Sequence, residues 1–368
     1  MRPMETIVEP LIERIRTAAE RATPLRIRGG GSKDFYGERL EGELLETAPL
    51  AGITSYEPTE LVVTALAGTP LAALEAALAE RGQCLPFEPP HFGGGATVGG
   101  MVAAGLSGPA RANAGSVRDY VLGLTLVNGR GELVTFGGQV MKNVAGYDVS
   151  RLVAGSLGTL GLIVEVSLKV LPVAPAQATL KFELTQQEAL RRLNAWGGQP
   201  LPLNASCWVC DDGVDTLFLR LRGAVAAVEA ACRGLGGERQ DEGRVAADWD
   251  ACRDQRLPWF AERGARDLWR LALPQTAPVL ELPEAPLVEW HGGLRWVRAP
   301  AGMAERLRQA AAQAGGHATL FAPAEPRAQP AAGRLTPLPP PLARIHRELK
   351  RQFDPAGIFN RGRLYPDF

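Results

Sequence analysis

Apolar positions along the first third of the chain switch repeatedly between a helical period and a strand period. Met1 to Glu20 keeps the helical spacing and carries Glu5, Glu9, Glu13 and Arg14 on its polar side, which predicts an amphipathic helix. Pro24 to Arg28 then reads as a short buried strand that breaks into Gly29-Gly30-Gly31-Ser32-Lys33. Ile53–Pro58 and Leu61–Ala65 read as strands. Pro70 to Arg81 reads as a helix, with Pro at its start, Gly82 after its end and Leu71, Leu74, Ala77 and Leu78 on one face. Gly99–Ala104 predicts a short helix that starts among glycines. Tyr120–Val127 and Glu132–Phe136 predict strands joined by the hairpin signal Asn128-Gly129-Arg130-Gly131, and Gly161–Val170 another strand, closed by Pro172. Strand and helix alternate, yet the glycine fingerprint and spaced acidic residue of a parallel nicotinamide-binding fold are not apparent, so the pattern predicts an α+β architecture.

The pattern changes after Pro172-Val173-Ala174-Pro175-Ala176, which reads as a linker. Ala178–Leu184, Ala205–Val209 and Thr216–Arg222 alternate like strands, with helices at Gln187–Trp196 and Ala224–Gly234. This βαββα order predicts a small antiparallel sheet covered by helices on one face. Ala322 to Pro341 reads as an extended crossing. Leu342–Gln352 is a predicted helix, and the turn-rich ending after it predicts a tail that returns to the first domain. The expected division is therefore residues 1–172, a smaller antiparallel α+β domain over 173–330, and a C-terminal segment over 331–368.

Length and charge narrow the functional classes. The chain has 368 residues, long enough for two domains. Forty basic and forty acidic residues balance, which argues against a nucleic-acid surface as the main business. No apolar run reaches the ~18–20 residues of a membrane span, and the first helix lacks a signal-peptide core. Five scattered cysteines read as reduced thiols. A cytoplasmic protein is expected, with peripheral attachment at the inner face of the cytoplasmic membrane open to it through partners.

Glycine is concentrated where chemistry is expected. The stretch Phe92-Gly93-Gly94-Gly95-Ala96-Thr97-Val98-Gly99-Gly100 leaves the main chain bare, so that a large flat or phosphorylated ligand can lie against backbone amides. The strand ending at Arg28 opens into glycines that can curl into a phosphate nest beside Ser32 and Lys33, or form an ordinary turn.

These segments resemble the FAD-binding superfamily of vanillyl-alcohol oxidase and p-cresol methylhydroxylase. The resemblance rests on Arg28 to Ser32, Ala96-Thr97-Val98-Gly99-Gly100, Arg118-Asp119-Tyr120-Val121-Leu122-Gly123, Gly155-Ser156-Leu157-Gly158-Thr159-Leu160-Gly161 and Asp354-Pro355 to Leu364. Within that superfamily the chain is similar, nearly end to end, to the E-subunit family of bacterial glycolate oxidases. Tyr56 to Leu61, Cys84 to His91, Val140 to Leu152, Trp290 to Trp296 and Gly315 to Thr319 carry that likeness.

The resemblance implies a two-subdomain flavin-binding domain plus a cap domain, and FAD held by Gly29, Gly30, Gly31, Ser32, Pro90, Thr97, Val98, Gly99, Gly100, Ala103, Gly115, Arg118, Gly161 and Ile163. Relatives with covalent flavin place a His where Ser32 stands, so the expected FAD is noncovalent. It also implies oxidation of glycolate, and of D-lactate as a further substrate, with electrons leaving through an iron–sulfur subunit to a quinone beside a paralogous flavin subunit. The alternative is a subunit whose FAD is an electron relay or that serves assembly, with substrate oxidised on the paralogue.

Oxidising a 2-hydroxy acid requires a proton acceptor, a cation for the carboxylate and a hydride acceptor. The chain has four histidines, His91, His291, His317 and His346, too dispersed for the clustered ligands of metal-dependent relatives, and no metal is expected. His317 and Arg118 are the catalytic candidates, with His291, Lys142 and Tyr147 weighed beside them. Arg118 reads equally as a loop-fixing partner of Asp119, and Tyr147 as core. Cys207 and Cys210 have CxxC spacing but sit on a predicted strand. Leu257 to Phe260 and Trp290 to Trp296 are either partner-facing or core.

Overall fold

The computed structural model describes residues 4–138, 148–211, 213–325, 333–366 and 368. The expected segment Met141 to Tyr147, with Lys142 and Tyr147, lies outside them. The chain divides into two compact units, one formed by Met1–Leu106, Ser116–Pro172 and Pro337–Phe368, the other by Ser107–Gly115 and Val173–Thr336.

In the first unit α1 (Met4–Arg21) buries Val8, Ile12, Ile15 and Ala18, one stripe at helical spacing. Strands β1 (Leu25–Arg28) and β2 (Glu43–Glu46) pair in parallel. Then β3 (Ile53–Glu57) and β4 (Val62–Leu66) join β5 (Val121–Val127), β6 (Leu133–Gly137) and β7 (Leu162–Lys169) in an antiparallel sheet of order β3-β4-β7-β5-β6. The hairpin between β5 and β6 closes on Asn128, whose Oδ1 accepts from the amides of Arg130 and Glu132.

One face of this sheet packs on α2 (Leu71–Ala79) and α3 (Val98–Ala104), through Leu71, Leu74, Leu78, Met101 and Val102. The other packs on α1 and β1, with Leu162 and Val164. The pairing of β7 with β5 shifts between Thr125–Glu165 and Leu126–Ile163. This bulge explains why Ile163 and Val166 share one cluster while Val164 joins the other, since an extra residue reverses the alternation.

The tail returns to this unit. The helix Pro340–Phe353 carries Lys350 in its last turn and is capped by Asp354, both buried. Lys350 Nζ donates to Thr159 O at 2.7 Å, Phe359 O at 2.8 Å and Asp354 Oδ2 at 2.8 Å. Leu25 N–H donates to Ile358 O at 2.7 Å, so the tail lies beside β1.

The second unit is an eight-stranded antiparallel sheet, larger than the sequence pattern suggests. Its strands are β8 (Ala176–Glu183), β9 (Leu203–Asp211), β10 (Val214–Gly223), β11 (Glu238–Arg239), β12 (Asp267–Ala272), β13 (Leu287–Glu289), β14 (Leu294–Ala299) and β15 (His317–Ala322), in order β11-β8-β10-β9-β13-β14-β12-β15. Helices α4 (Gln186–Gly197) and α5 (Val225–Leu235) cover Trp208, Leu217, Leu219 and Leu221. The expectation of helices on one face is corrected by α6 (Glu242–Arg253). It covers the opposite face, where Arg220 stacks on Trp249 at 4.7 Å. Helix α7 (Ala304–Gln313) packs Leu307 and Ala311 on Trp269 and Leu271.

Residues 107–115 also belong here, although the pattern places them in the first domain. Gly108 O accepts from Trp290 Nε1 at 2.9 Å, and Asn113 Nδ2 donates to Asn204 O at 3.1 Å. Contacts about 90 to 180 residues away leave no periodic trace. Trp259, Phe260, Trp290 and Trp296 are all buried, which makes both aromatic segments core.

Candidate functional site

Strand β1 delivers the chain into a cleft of about 90 Å³ in the first unit. Its lining includes Gly29, Gly30, Gly31, Ser32, Thr97, Gly100 and Ala103, so seven of the expected cofactor residues come together. The glycines are there because two main chains touch. A Cβ on Gly30 would sit 1.4 Å from Gly95 O, and Gly31 has φ +76°. Among the described residues no backbone carbonyl accepts from the amides of Gly30, Gly31 or Ser32. The α3 N-terminus closes the cleft, with Thr97 Oγ1 accepting from Gly100 N–H at 3.3 Å.

Two residues that sequence reasoning missed hold the nest in shape. Arg363 Nη2 donates to Lys33 O at 3.1 Å and Asp34 O at 3.0 Å, while Asn360 Oδ1 accepts from Ile27 N–H at 2.7 Å and its Nδ2 donates to Leu157 O. Both line the cleft. Their signal was the tail motif itself, but more than three hundred residues separate them from the nest. Arg28 Nε pairs with Asp34 Oδ2 at 2.8 Å and fixes the far side.

These groups fit the diphosphate of a dinucleotide. Open amides in a curled glycine segment, the α3 N-terminus and the cations Lys33 and Arg363 all favour polyanionic oxygen. Ser32 presents a hydroxyl where covalent attachment would need a ring nitrogen.

The other expected residues sit elsewhere. Val98 and Gly99 lie inside α3, with Gly99 N–H donating to Ala67 O at 2.7 Å. Pro90 is buried in the first unit, Gly161 leads into β7, and Ile163 is 5% exposed in the core. Arg118 is exposed, with Nη2 3.5 Å from Ala154 O. The alternative reading, an ion pair with Asp119, is not formed; Asp119 Oδ2 accepts instead from the amide and hydroxyl of Ser116 at 2.8 and 2.9 Å. Gly115 ends the short helix Arg111–Ala114 in the second unit with φ +96°.

The histidines have separate environments. His91 Nε2 lies 2.8 Å from Glu75 Oε2. His291 is buried in the second unit, its Nε2 2.5 Å from Asn113 Nδ2, and burial pulls its pKa down to about 4. His346 is flanked by the rings of Tyr365 and Phe368. His317 opens β15 with an exposed edge, and surrounding protein and then Arg270 hold its pKa below the ordinary value. Cys207 and Cys210 point to opposite faces of β9, against α6 and the α4–α5 core respectively. Among the described residues no three His, Cys, Asp or Glu side chains form a metal-sized group.

Comparison with known proteins agrees with this geometry. The FAD binding domain family matches residues 6–137. The chain is 45% identical over 360 residues to glycolate oxidase subunit GlcE of Escherichia coli, covering 98% of this chain and 97% of that protein. It is 28% identical to D-2-hydroxyglutarate dehydrogenase of Xanthomonas citri over 67% of this chain and 54% of that one. It is 34% identical to D-lactate dehydrogenase of Archaeoglobus fulgidus over 43% and 35%. Among solved structures, an alkyldihydroxyacetonephosphate synthase superposes with a TM-score of 0.64 at 15% identity, covering 96% of this chain and 75% of that one, a likeness of fold. With nearly full-length identity behind it, the chain belongs to the glycolate oxidase subunit GlcE family of FAD-dependent oxidoreductases.

Proposed function

We propose that this chain is the FAD-binding subunit of a complex that oxidises glycolate, and D-lactate as a second substrate, to the 2-oxo acid. The complex would deliver electrons through an iron–sulfur subunit to a quinone, beside a paralogous flavin subunit. The observation that carries the reading is the glycine cleft, whose open amides at Gly30, Gly31 and Ser32 match a diphosphate. The bound flavin would supply hydride acceptance.

The chain's own residues then bind and orient. Gly29 to Ser32 and Thr97 hold the phosphate oxygens, with Pro90, Val98, Gly99, Gly100, Ala103, Gly161 and Ile163 shaping the remainder. Ser32 leaves the cofactor noncovalent. Arg118 supplies a cation for the carboxylate. Of the second unit's histidines, His317 has an exposed edge and a pKa held below the ordinary value, the properties a proton acceptor needs.

A second reading assigns substrate oxidation to the paralogous subunit and electron relay to this one. It is favoured by the dispersal of His91, His291, His317 and His346, which among the described residues form no cluster of proton acceptors or metal ligands. Anaerobic mixing of the FAD-loaded chain with glycolate separates the two. Bleaching of the flavin band by the isolated chain supports the first reading. Bleaching only after the paralogous subunit is added supports the second. A chain that takes up no FAD overturns both.

A further inference from the structure

The second unit contains a cavity of about 250 Å³ between β9, β10, α6 and residues 257–259. Three aromatic rings, Phe218, Trp249 and Trp259, line it together with the aliphatic Val209, Val245 and Leu257. Both tryptophans are fixed in place. Trp249 Nε1–H donates to Thr179 Oγ1 at 3.1 Å while Arg220 stacks on its ring. Trp259 meets Arg298 at 4.6 Å and the edge of Phe260 at 5.1 Å. Walls held this way are ready before anything binds, so little ordering entropy opposes binding.

Charge selects the occupant. Two exposed carboxylates, Asp211 and Asp248, belong to the lining, and no Lys, Arg or His does. Among the described residues neither carboxylate has an ion-pair partner. A 2-hydroxy acid anion would meet like charge here and no cation to receive it. Aromatic faces attract planar rings, and more strongly those carrying positive charge. An apolar cavity of about 150 Å³ already holds benzene, so this one has room for two fused rings.

We infer that this cavity is a binding site for a planar aromatic ligand of one or two rings, neutral or cationic, that disfavours carboxylates. The inference does not depend on the flavin reading, because every residue it uses lies in the second unit.

Calorimetric titration of the full-length, FAD-loaded chain with indole, N-methylquinolinium and 2-naphthoate tests it. Indole and N-methylquinolinium are expected to saturate a single site, with 2-naphthoate about tenfold weaker because of like charge at the lining. Leu257→Trp, which adds a ring to a half-buried part of the lining, is expected to abolish binding of all three. Asp248→Lys, on an exposed position that folding tolerates, is expected to reverse the order of the cation and the anion. Failure of both indole and N-methylquinolinium to saturate overturns the proposal, as does an unchanged order in Asp248→Lys.

Discussion

At the scale of single residues, Gly30 bears most on the cofactor site. Its neighbour across the cleft is a main-chain oxygen, Gly95 O, which has no rotamer with which to move away from a methyl group. Gly30→Ala therefore separates the two loops that enclose the phosphate cleft. The expected outcome is a folded chain that comes out colourless and whose FAD affinity falls at least about a hundredfold, roughly the ~3 kcal/mol of two lost charge-assisted hydrogen bonds. A fluorescence titration with FAD reads it, and wild-type affinity in the variant would remove the nest from the cofactor site. The sequence motif already pointed to Gly29–Ser32. It did not point to Gly95 O as the reason, because that contact crosses sixty-five residues.

At the scale of elements, the turn after β13 is the most constrained feature of the second unit. Trp290 and His291 both have positive φ, 54° and 55°, before Gly292 at 100°. Such conformations are costly for residues with a Cβ and persist only where the surroundings impose them. Here Trp290 Nε1 bonds Gly108 O, and His291 N–H donates to Ser206 Oγ at 3.0 Å. The buried His291 imidazole has a folded pKa of about 4 against an ordinary 6.5.

The folded state thus binds its proton later than the unfolded state does. The stability associated with neutral His291 is complete above pH 6.5 and is lost as pH falls through that value toward 4, on the order of 3 kcal/mol in all. His291→Asn keeps a residue type that tolerates left-handed backbone and removes the titration. Chemical denaturation at pH 7 and pH 4.5 is expected to show a smaller acid loss in His291→Asn than in wild type. Equal losses would show that another group controls the acid response. Helical and strand periods revealed β13 and β14 poorly, because the strands are three and six residues long and the alternation is interrupted by this turn.

At the scale of the whole molecule, the first unit is assembled from three separate stretches of chain. Lys350 clasps the third of them to the second. Its Nζ reaches Thr159, Asp354 and Phe359, while Asp354 also accepts from the amides of Ile358 and Phe359. Burial lowers the lysine's pKa and Asp354 opposes that shift. Lys350→Met leaves a buried carboxylate without its counter-charge, a loss of about 3–5 kcal/mol. Urea unfolding followed by circular dichroism is expected to show it, with part recovered in Lys350→Met/Asp354→Asn. A change below about 1 kcal/mol would mean that the tail is held by Phe359 and Ile358 packing alone.

Local order in the amino acids was enough to define α1, α2, the β5–β6 hairpin, the α+β class and the glycine segments, because each depends on neighbours a few positions apart, while FAD followed from the family resemblance those segments carry. The strand at Leu25 was legible for the same reason, and the return of the tail was legible from its compact, turn-rich ending after a long connection. Three features depended on the folded chain. They are the capture of residues 107–115 by the second unit, the eight-stranded sheet with α6 on its opposite face, and Asn360 and Arg363 at the cleft. Each rests on contacts between positions about thirty to three hundred and thirty residues apart, where periodicity carries no information and only packing brings the partners together.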